Sequence, residues 1–111
     1  MKYICLIYAD EQAQAEQGEA LFHAYNAFYE DVTGAGKFVA GDPLEGSATS
    51  TMVQVRNGET LATDGPFAET KEQIVGYYIF DCEDLDEAVE WAAKIPSATT
   101  GGIEVRPIMK M

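Results

Sequence analysis

Apolar and polar positions along this chain change period several times, and each change marks an element. Residues 2–9, Lys-Tyr-Ile-Cys-Leu-Ile-Tyr-Ala, are apolar at both alternating sets of positions, the pattern of a strand covered on two sides. Asp10 to Gly18 turns polar and rich in Gln, Ala and Glu, and reads as a loop or a frayed helical lead-in punctuated by Gly18. From Glu19 to Thr33 the period is helical. Leu21, Phe22, Tyr25, Phe28, Tyr29 and Val32 fall on one stripe, with Glu16, Glu19, His23, Asn26 and Glu30 opposite. Gly34 and Gly36 supply the stop.

The second half follows the same grammar. Phe38-Val39-Ala40-Gly41 is a short strand ended by Asp42-Pro43, and a small-residue loop runs from Gly46 to Ser50. Met52–Arg56, Asn57-Gly58 and Glu59–Thr63 predict a hairpin, because both central residues of a type I′ turn need positive φ. Ile74 to Phe80 is again apolar on both faces. Asp84 offers an N-cap with Glu87 three residues on, ahead of a helix striped by Leu85, Ala88, Val89, Ala92 and Ile95 and ended by Pro96. Gly101-Gly102 leads into a last strand, Ile103–Ile108, whose Pro107 suits an edge position.

The predicted order is β, α, β, hairpin, β, α, β over one domain, residues 1–111. Without the hairpin this is the ferredoxin-like βαββαβ arrangement, an α+β fold whose helices cover one face of the sheet. Yet the strands at 2–9 and 74–80 carry apolar side chains on both faces. A second copy packed sheet to sheet is the simplest cover for the exposed face, so a homodimer is expected.

Charge narrows the partners. The chain carries 19 acidic and 7 basic residues, a net charge of −12. Nucleic-acid binding rests on Lys and Arg neutralising phosphates, so direct DNA or RNA binding is excluded. A cationic ligand or basic partner surface fits better, although surplus surface carboxylates also simply confer solubility. Cys5 and Cys82 sit in or at the end of apolar runs and read as buried hydrophobes. No CxxC or Cys/His spacing, phosphate loop or GxSxG motif is present, and no metal or other cofactor is expected. No run approaches membrane-spanning length and the N-terminus lacks signal-peptide features, so a cytoplasmic protein is expected.

Candidate chemistry concentrates at Asp64-Gly65-Pro66-Phe67-Ala68-Glu69-Thr70-Lys71-Glu72, which places four charged residues in nine positions between two strands. Turn geometry accounts for Asp64, Gly65 and Pro66, and Thr70–Gln73 has the form of a capping box for one short helical turn. The crowding of Glu69, Lys71 and Glu72 is left to a functional loop or to a solvated one. His23 is the sole histidine and the one candidate for imidazole acid–base chemistry; its wheel position equally suits a solvated surface residue. Tyr77 and Tyr78 point to opposite faces, so at most one enters a given cavity. Arg106 alternates with Val105 and faces the open side, where it pairs with a carboxylate or holds an anionic substrate.

The string from Asp64 to Gln73, with Gly76-Tyr77-Tyr78, Asp84-Leu85-Asp86-Glu87-Ala88, Ile95-Pro96 and Val105-Arg106-Pro107, resembles the YCII-related DGPF domain family over nearly the whole chain. The resemblance implies a dimeric α+β barrel. It also implies small bacterial proteins of mostly unassigned activity, many encoded beside or fused to extracytoplasmic-function sigma factors. More distant relatives include a dehalogenating hydrolase with a His–Asp pair. His23 lies in the helix where such a histidine falls, but the relatives' Asp precedes a proline where this chain has Ile95-Pro96. The expected site is a small-molecule pocket bordered by the DGPF loop. Asp64 is a loop anchor or base there, Lys71 stabilises charge, and His23 is an acid–base candidate. Gly65, Pro66, Phe67, Glu72, Tyr78 and Arg106 are ligand contacts. The alternative is a non-enzymatic regulatory partner of a sigma factor.

Overall fold

The alternating strand Lys2–Ala9 (β1) sits at the centre of a four-stranded antiparallel sheet in the computed structural model, which describes residues 1–111. The remaining elements are α1 (Glu11–Gly34), β2 (Phe38–Pro43), β3 (Thr51–Arg56), β4 (Glu59–Asp64), β5 (Gln73–Asp81), α2 (Leu85–Ala93) and β6 (Gly102–Pro107). The sheet order is β2-β5-β1-β6, and β3 and β4 form a separate hairpin. This is the ferredoxin-like α+β arrangement with an inserted hairpin. Both helices lie on one face, and the molecule is only 17 Å thick along its shortest axis, which is two layers.

Alternation decides which side chains enter the core. Tyr3, Cys5 and Ile7 are buried, while Ile4, Leu6 and Tyr8 are only partly covered. On β5, Tyr78 and Phe80 are buried and Tyr77 and Ile79 are intermediate. Phe28 and Val32 of α1, Ala88 and Ala92 of α2, and Ile95 complete the core. Phe28 packs 5.3 Å from the Tyr78 ring centroid, and the Tyr78 and Phe80 rings stack at 5.4 Å. Full burial of a side chain such as Phe80 contributes about 1.5–3 kcal/mol.

One open reading is decided and two local expectations are corrected. The polar stretch after β1 is helical: Asp10 caps it by accepting hydrogen bonds from the N–H groups of Gln12 and Ala13 at 3.0 and 3.2 Å. Gly18 does punctuate it, with φ 54° and ψ −132° inside α1, a backbone region open to glycine. The break divides α1 into a short first segment and a long second one. Strand β2 runs on through Asp42-Pro43, which is permitted because β2 is an edge. Thr70–Gln73 caps no helical turn. The Thr70 hydroxyl instead donates to the Glu72 carbonyl at 2.6 Å, and Gln73 Nε2 donates to the carbonyls of Ala68 and Thr70 at 3.0 Å each.

The hairpin forms as its sequence predicts, with φ 52° at Asn57 and 78° at Gly58. It shares no ladder with the four-stranded sheet. The Gly65 N–H donates to the Ser50 carbonyl at 2.7 Å and closes its base. The second helix also starts as predicted: the Glu87 N–H donates to Asp84 Oδ1, and the Glu83 N–H donates to Glu87 Oε1, both at 2.9 Å. Pro107 lies on β6, the other edge. No helix is long and apolar enough to cross a membrane.

Candidate functional site

The short first segment of α1 carries Glu11 in its opening turn, and the Asp10 cap fixes the direction in which that residue points. Its carboxylate accepts the Ser47 N–H on Oε2 at 2.6 Å and the Ser47 hydroxyl on Oε1. Ser47 begins a 3-10 turn, Ser47–Thr49, between β2 and β3. This link closes one end of a cavity of about 580 Å³ between α1 and the β2–β5 edge of the sheet. Leu21, Phe22, Tyr25, Asn26 and Tyr29 of α1 form its roof; Ile7, Val75 and Tyr78 form its floor. The chain from Gly41 to Leu44, with Gly46, forms the side.

The geometry explains exposure that a core stripe would not have. Phe22 and Tyr29 fall on the apolar stripe of α1, yet are 64% and 47% exposed. Both line the cavity, and Tyr29 also packs edge-on against Phe38 of β2, the ring centroids 5.1 Å apart. Gly41 is needed where it stands: a Cβ there would lie 2.4 Å from Tyr78 Cδ1 and 2.9 Å from the Tyr77 carbonyl oxygen.

Burial pushes the Tyr78 hydroxyl up to about 12, with Tyr25 adding to the effect. Tyr25 is itself raised by burial, and its hydroxyl lies 2.7 Å from the buried Ser97 Oγ, an interaction that partly offsets the rise. Glu11 and Asp42 are the charged residues of the lining, which includes no Lys, Arg or His. Asp42 Oδ2 accepts the Tyr77 hydroxyl at 3.0 Å, and this bond raises the Tyr77 pKa.

A second, more polar cavity of about 490 Å³ lies on the far side of the Glu11–Ser47 link. Asp10, Glu11, Gln12, Ser47 and Ala48 meet Gly65, Pro66, Glu69, Thr70, Lys71 and Gln73 there. Glu11 belongs to both walls.

The residues singled out in the sequence are thus distributed over three places. Gly65, with φ 104°, Pro66 and Lys71 line the second cavity. Tyr78 lines the first. His23, Asp64, Phe67, Glu72 and Arg106 line neither. His23 is exposed on α1 with its ring 6.0 Å from that of Phe22. Asp64 is exposed at the end of β4, opposite Thr51, and Phe67 is 79% exposed. Glu72 is exposed and engaged through its carbonyl.

Arg106 is exposed opposite Ile4, and no carboxylate of the same chain lies within ion-pairing distance of it. Ile95, at the position of the relatives' Asp, is 1% exposed in the core. No three His, Cys, Asp or Glu side chains converge in a metal-holding group. Glu11, Gln14, Tyr25 and Ser47 escaped the sequence reading. The Glu11–Ser47 contact spans 36 positions, and no local pattern announces it.

Three comparisons place this chain. A solved structure, 5-chloro-2-hydroxyhydroquinone dehydrochlorinase from Burkholderia phenoliruptrix AC1100 in complex with 2,5-dihydroxybenzoquinone, superposes with a TM-score of 0.56 at 15% identity. That match covers 98% of this chain and 94% of the enzyme, and at this identity it bears on the fold. An uncharacterized protein of Rhizobium meliloti (strain 1021) is 37% identical over 114 positions, covering 97% of this chain and 92% of the relative. The family described as the YCII-related domain matches residues 1–111. With that match across its full length, the chain belongs to the YCII-related family.

Proposed function

We propose that the protein binds a small organic molecule in the cavity between α1 and the β2–β5 edge, and does so as a homodimer. One observation carries the reading. An apolar helical stripe that would ordinarily be buried leaves Phe22 and Tyr29 exposed over a cavity floored by Tyr78. Its volume lies within the ~300–1,000 Å³ typical of ligand sites, which are mostly apolar with a few placed polar groups. Asn26 and Gln14 supply such groups here. The dehydrochlorinase, which shares the fold, was solved with a ring compound of comparable modesty, a precedent for this size of ligand.

The DGPF loop borders the adjoining cavity, and Glu11 joins the two. Lys71 is the cation among the residues of that wall, suited to stabilising negative charge on a ligand portion that extends past Ser47. A fragment screen read by amide chemical shifts tests the site. Hits are expected to move Leu21–Tyr29 and Gly41–Leu44, and Lys71→Ala is expected to weaken hits that also move Gly65–Gln73. A screen whose hits never move the cavity amides overturns the reading.

Dimerisation rests on the sheet face away from the helices. Ile4, Leu6, Tyr8, Tyr77 and Ile79 are incompletely covered there, and an apolar face of this kind is retained when a partner covers it. Sedimentation as a dimer at micromolar concentration is expected; a monomer would refute it.

The charge of −12 favours a second reading, association with a basic partner surface such as a sigma factor. Asp84, Asp86 and Glu90 are exposed around α2. Such association would weaken with salt, and its absence at low ionic strength would dispose of it.

A further inference from the structure

We infer that the cavity between α1 and the β2–β5 edge selects an organic cation, an aromatic or bulky alkyl group bearing an ammonium, over neutral and anionic molecules of the same shape. The inference rests on the small-molecule reading of that cavity and adds the charge of its occupant.

Three observations converge. Phe22, Tyr25, Tyr29 and Tyr78 present four aromatic rings to one space, and ring faces attract ammonium groups through their quadrupole. No Lys, Arg or His lines the cavity, so an anionic ligand would meet no counter-charge and would lose its hydration without compensation. Glu11 holds a carboxylate at one end, fixed by the two polar hydrogens of Ser47. Asp42 also belongs to the side wall, with its carboxylate engaged by the Tyr77 hydroxyl.

The whole molecule acts in the same direction, because a net charge of −12 concentrates cations near its surface. The chain also makes this contact internally: Lys94 Nζ lies 4.6 Å from the Trp91 ring centroid. The second cavity differs in kind, since Lys71 sits there among three carboxylates, those of Asp10, Glu11 and Glu69. The first cavity, with its aromatic lining, takes the cationic, apolar part of a ligand.

The test uses three probes of matched shape with the full-length protein: 4-hydroxyphenyltrimethylammonium, 4-tert-butylphenol and 4-tert-butylbenzoate. Affinity is read by titration calorimetry and location by amide chemical shifts. The ammonium is expected to bind about five- to thirty-fold more tightly than the phenol, the range of a cation–aromatic contact, with the benzoate weakest. Raising salt should weaken the ammonium and leave the phenol unchanged.

If the phenol or benzoate binds in the cavity as tightly as the ammonium, the cation inference is overturned while the cavity remains a ligand site. If none of the three moves the cavity amides, both readings fall. Phe22→Leu replaces an exposed ring without disturbing the core. It should lower ammonium affinity several-fold and leave the phenol within about two-fold. Equal loss for both probes would mean that the ring is only an apolar wall, and would overturn the inference. Should that variant misfold, Tyr29→Leu serves in its place with the same expected outcomes.

Discussion

Glu11 and Ser47 meet through a two-point link in which one carboxylate accepts both the backbone N–H and the hydroxyl of the serine, the former at 2.6 Å. The link joins the first turn of α1 to the turn after β2 and divides two cavities. Ser47→Ala removes the hydroxyl contact and should cost about 1 kcal/mol. For a domain of this size that lowers Tm by roughly 4 °C. Glu11→Gln removes the charge from both contacts. In a double-mutant cycle followed by urea unfolding, the two losses should be strongly non-additive. Additive losses would show that the residues do not stabilise each other.

Gly41 and Tyr78 make a steric prediction. A methyl group at position 41 would lie 2.4 Å from the Tyr78 ring and 2.9 Å from backbone, closer than any real contact. Gly41→Ala should destabilise by about 1–3 kcal/mol or more through overpacking. Because part of the clash is with the ring, Tyr78→Ala should cost less in the Gly41→Ala background than in the parent. Urea midpoints of the four proteins decide this.

Alkaline stability follows from two buried groups. Burial pushes the Cys5 thiol from 9.0 to about 12, and Cys82 adds to the rise; Tyr78 goes from 10.0 to about 12. A folded pKa above the unfolded one means that the native state holds the proton more tightly. The associated stability is therefore complete below about pH 9 and is lost as pH rises towards about 12. Urea midpoints should fall across that window, less steeply in Cys5→Ala. At pH 8 a thiol reagent should label Cys5 only as fast as the protein opens.

Acid acts through α2. The Glu83 N–H, then the Lys37 ammonium at 3.1 Å, hold the Glu87 carboxylate below its ordinary 4.5. A depressed folded pKa contributes stability that is present above the unfolded value and lost as pH falls below it. Tm should thus decline below about pH 4.5, and Glu87→Gln should flatten that decline.

The separate hairpin should reveal itself in hydrogen exchange. A two-stranded ribbon alone is marginal in water, and every residue of β4 is exposed. Amides of β3 and β4 are expected to exchange well before those of β1 and β5. Uniform protection across all six strands in the isolated chain would contradict this.

The order of elements was legible because each has a local cause: two-faced alternation in β1 and β5, Asn57-Gly58 in the hairpin, and Asp84 with Glu87 at α2. The first turns of α1 were legible only as one of two readings, since Asp10 caps a segment with no apolar stripe of its own. The site was harder to read. Phe22 and Tyr29 have the spacing of core residues, and only the way α1 lies over the sheet turns them towards a cavity. The DGPF string pointed to a turn and to a wall of the second cavity. It gave no hint of the first, which is assembled from α1, β2 and β5. Ile95 in the core was legible as an apolar helix-stripe position.

The hairpin has one more consequence. Its two strands pair only with each other, so the register that ties β1 to β5 and β6 places no demand on its length. Adding two residues to each strand would keep every side chain on its present face and move the Asn57-Gly58 tip outward by about 6.8 Å. The core would not feel the change. The hairpin is in this sense a ruler, whose reach can be reset in fixed increments while the rest of the protein stays as it is.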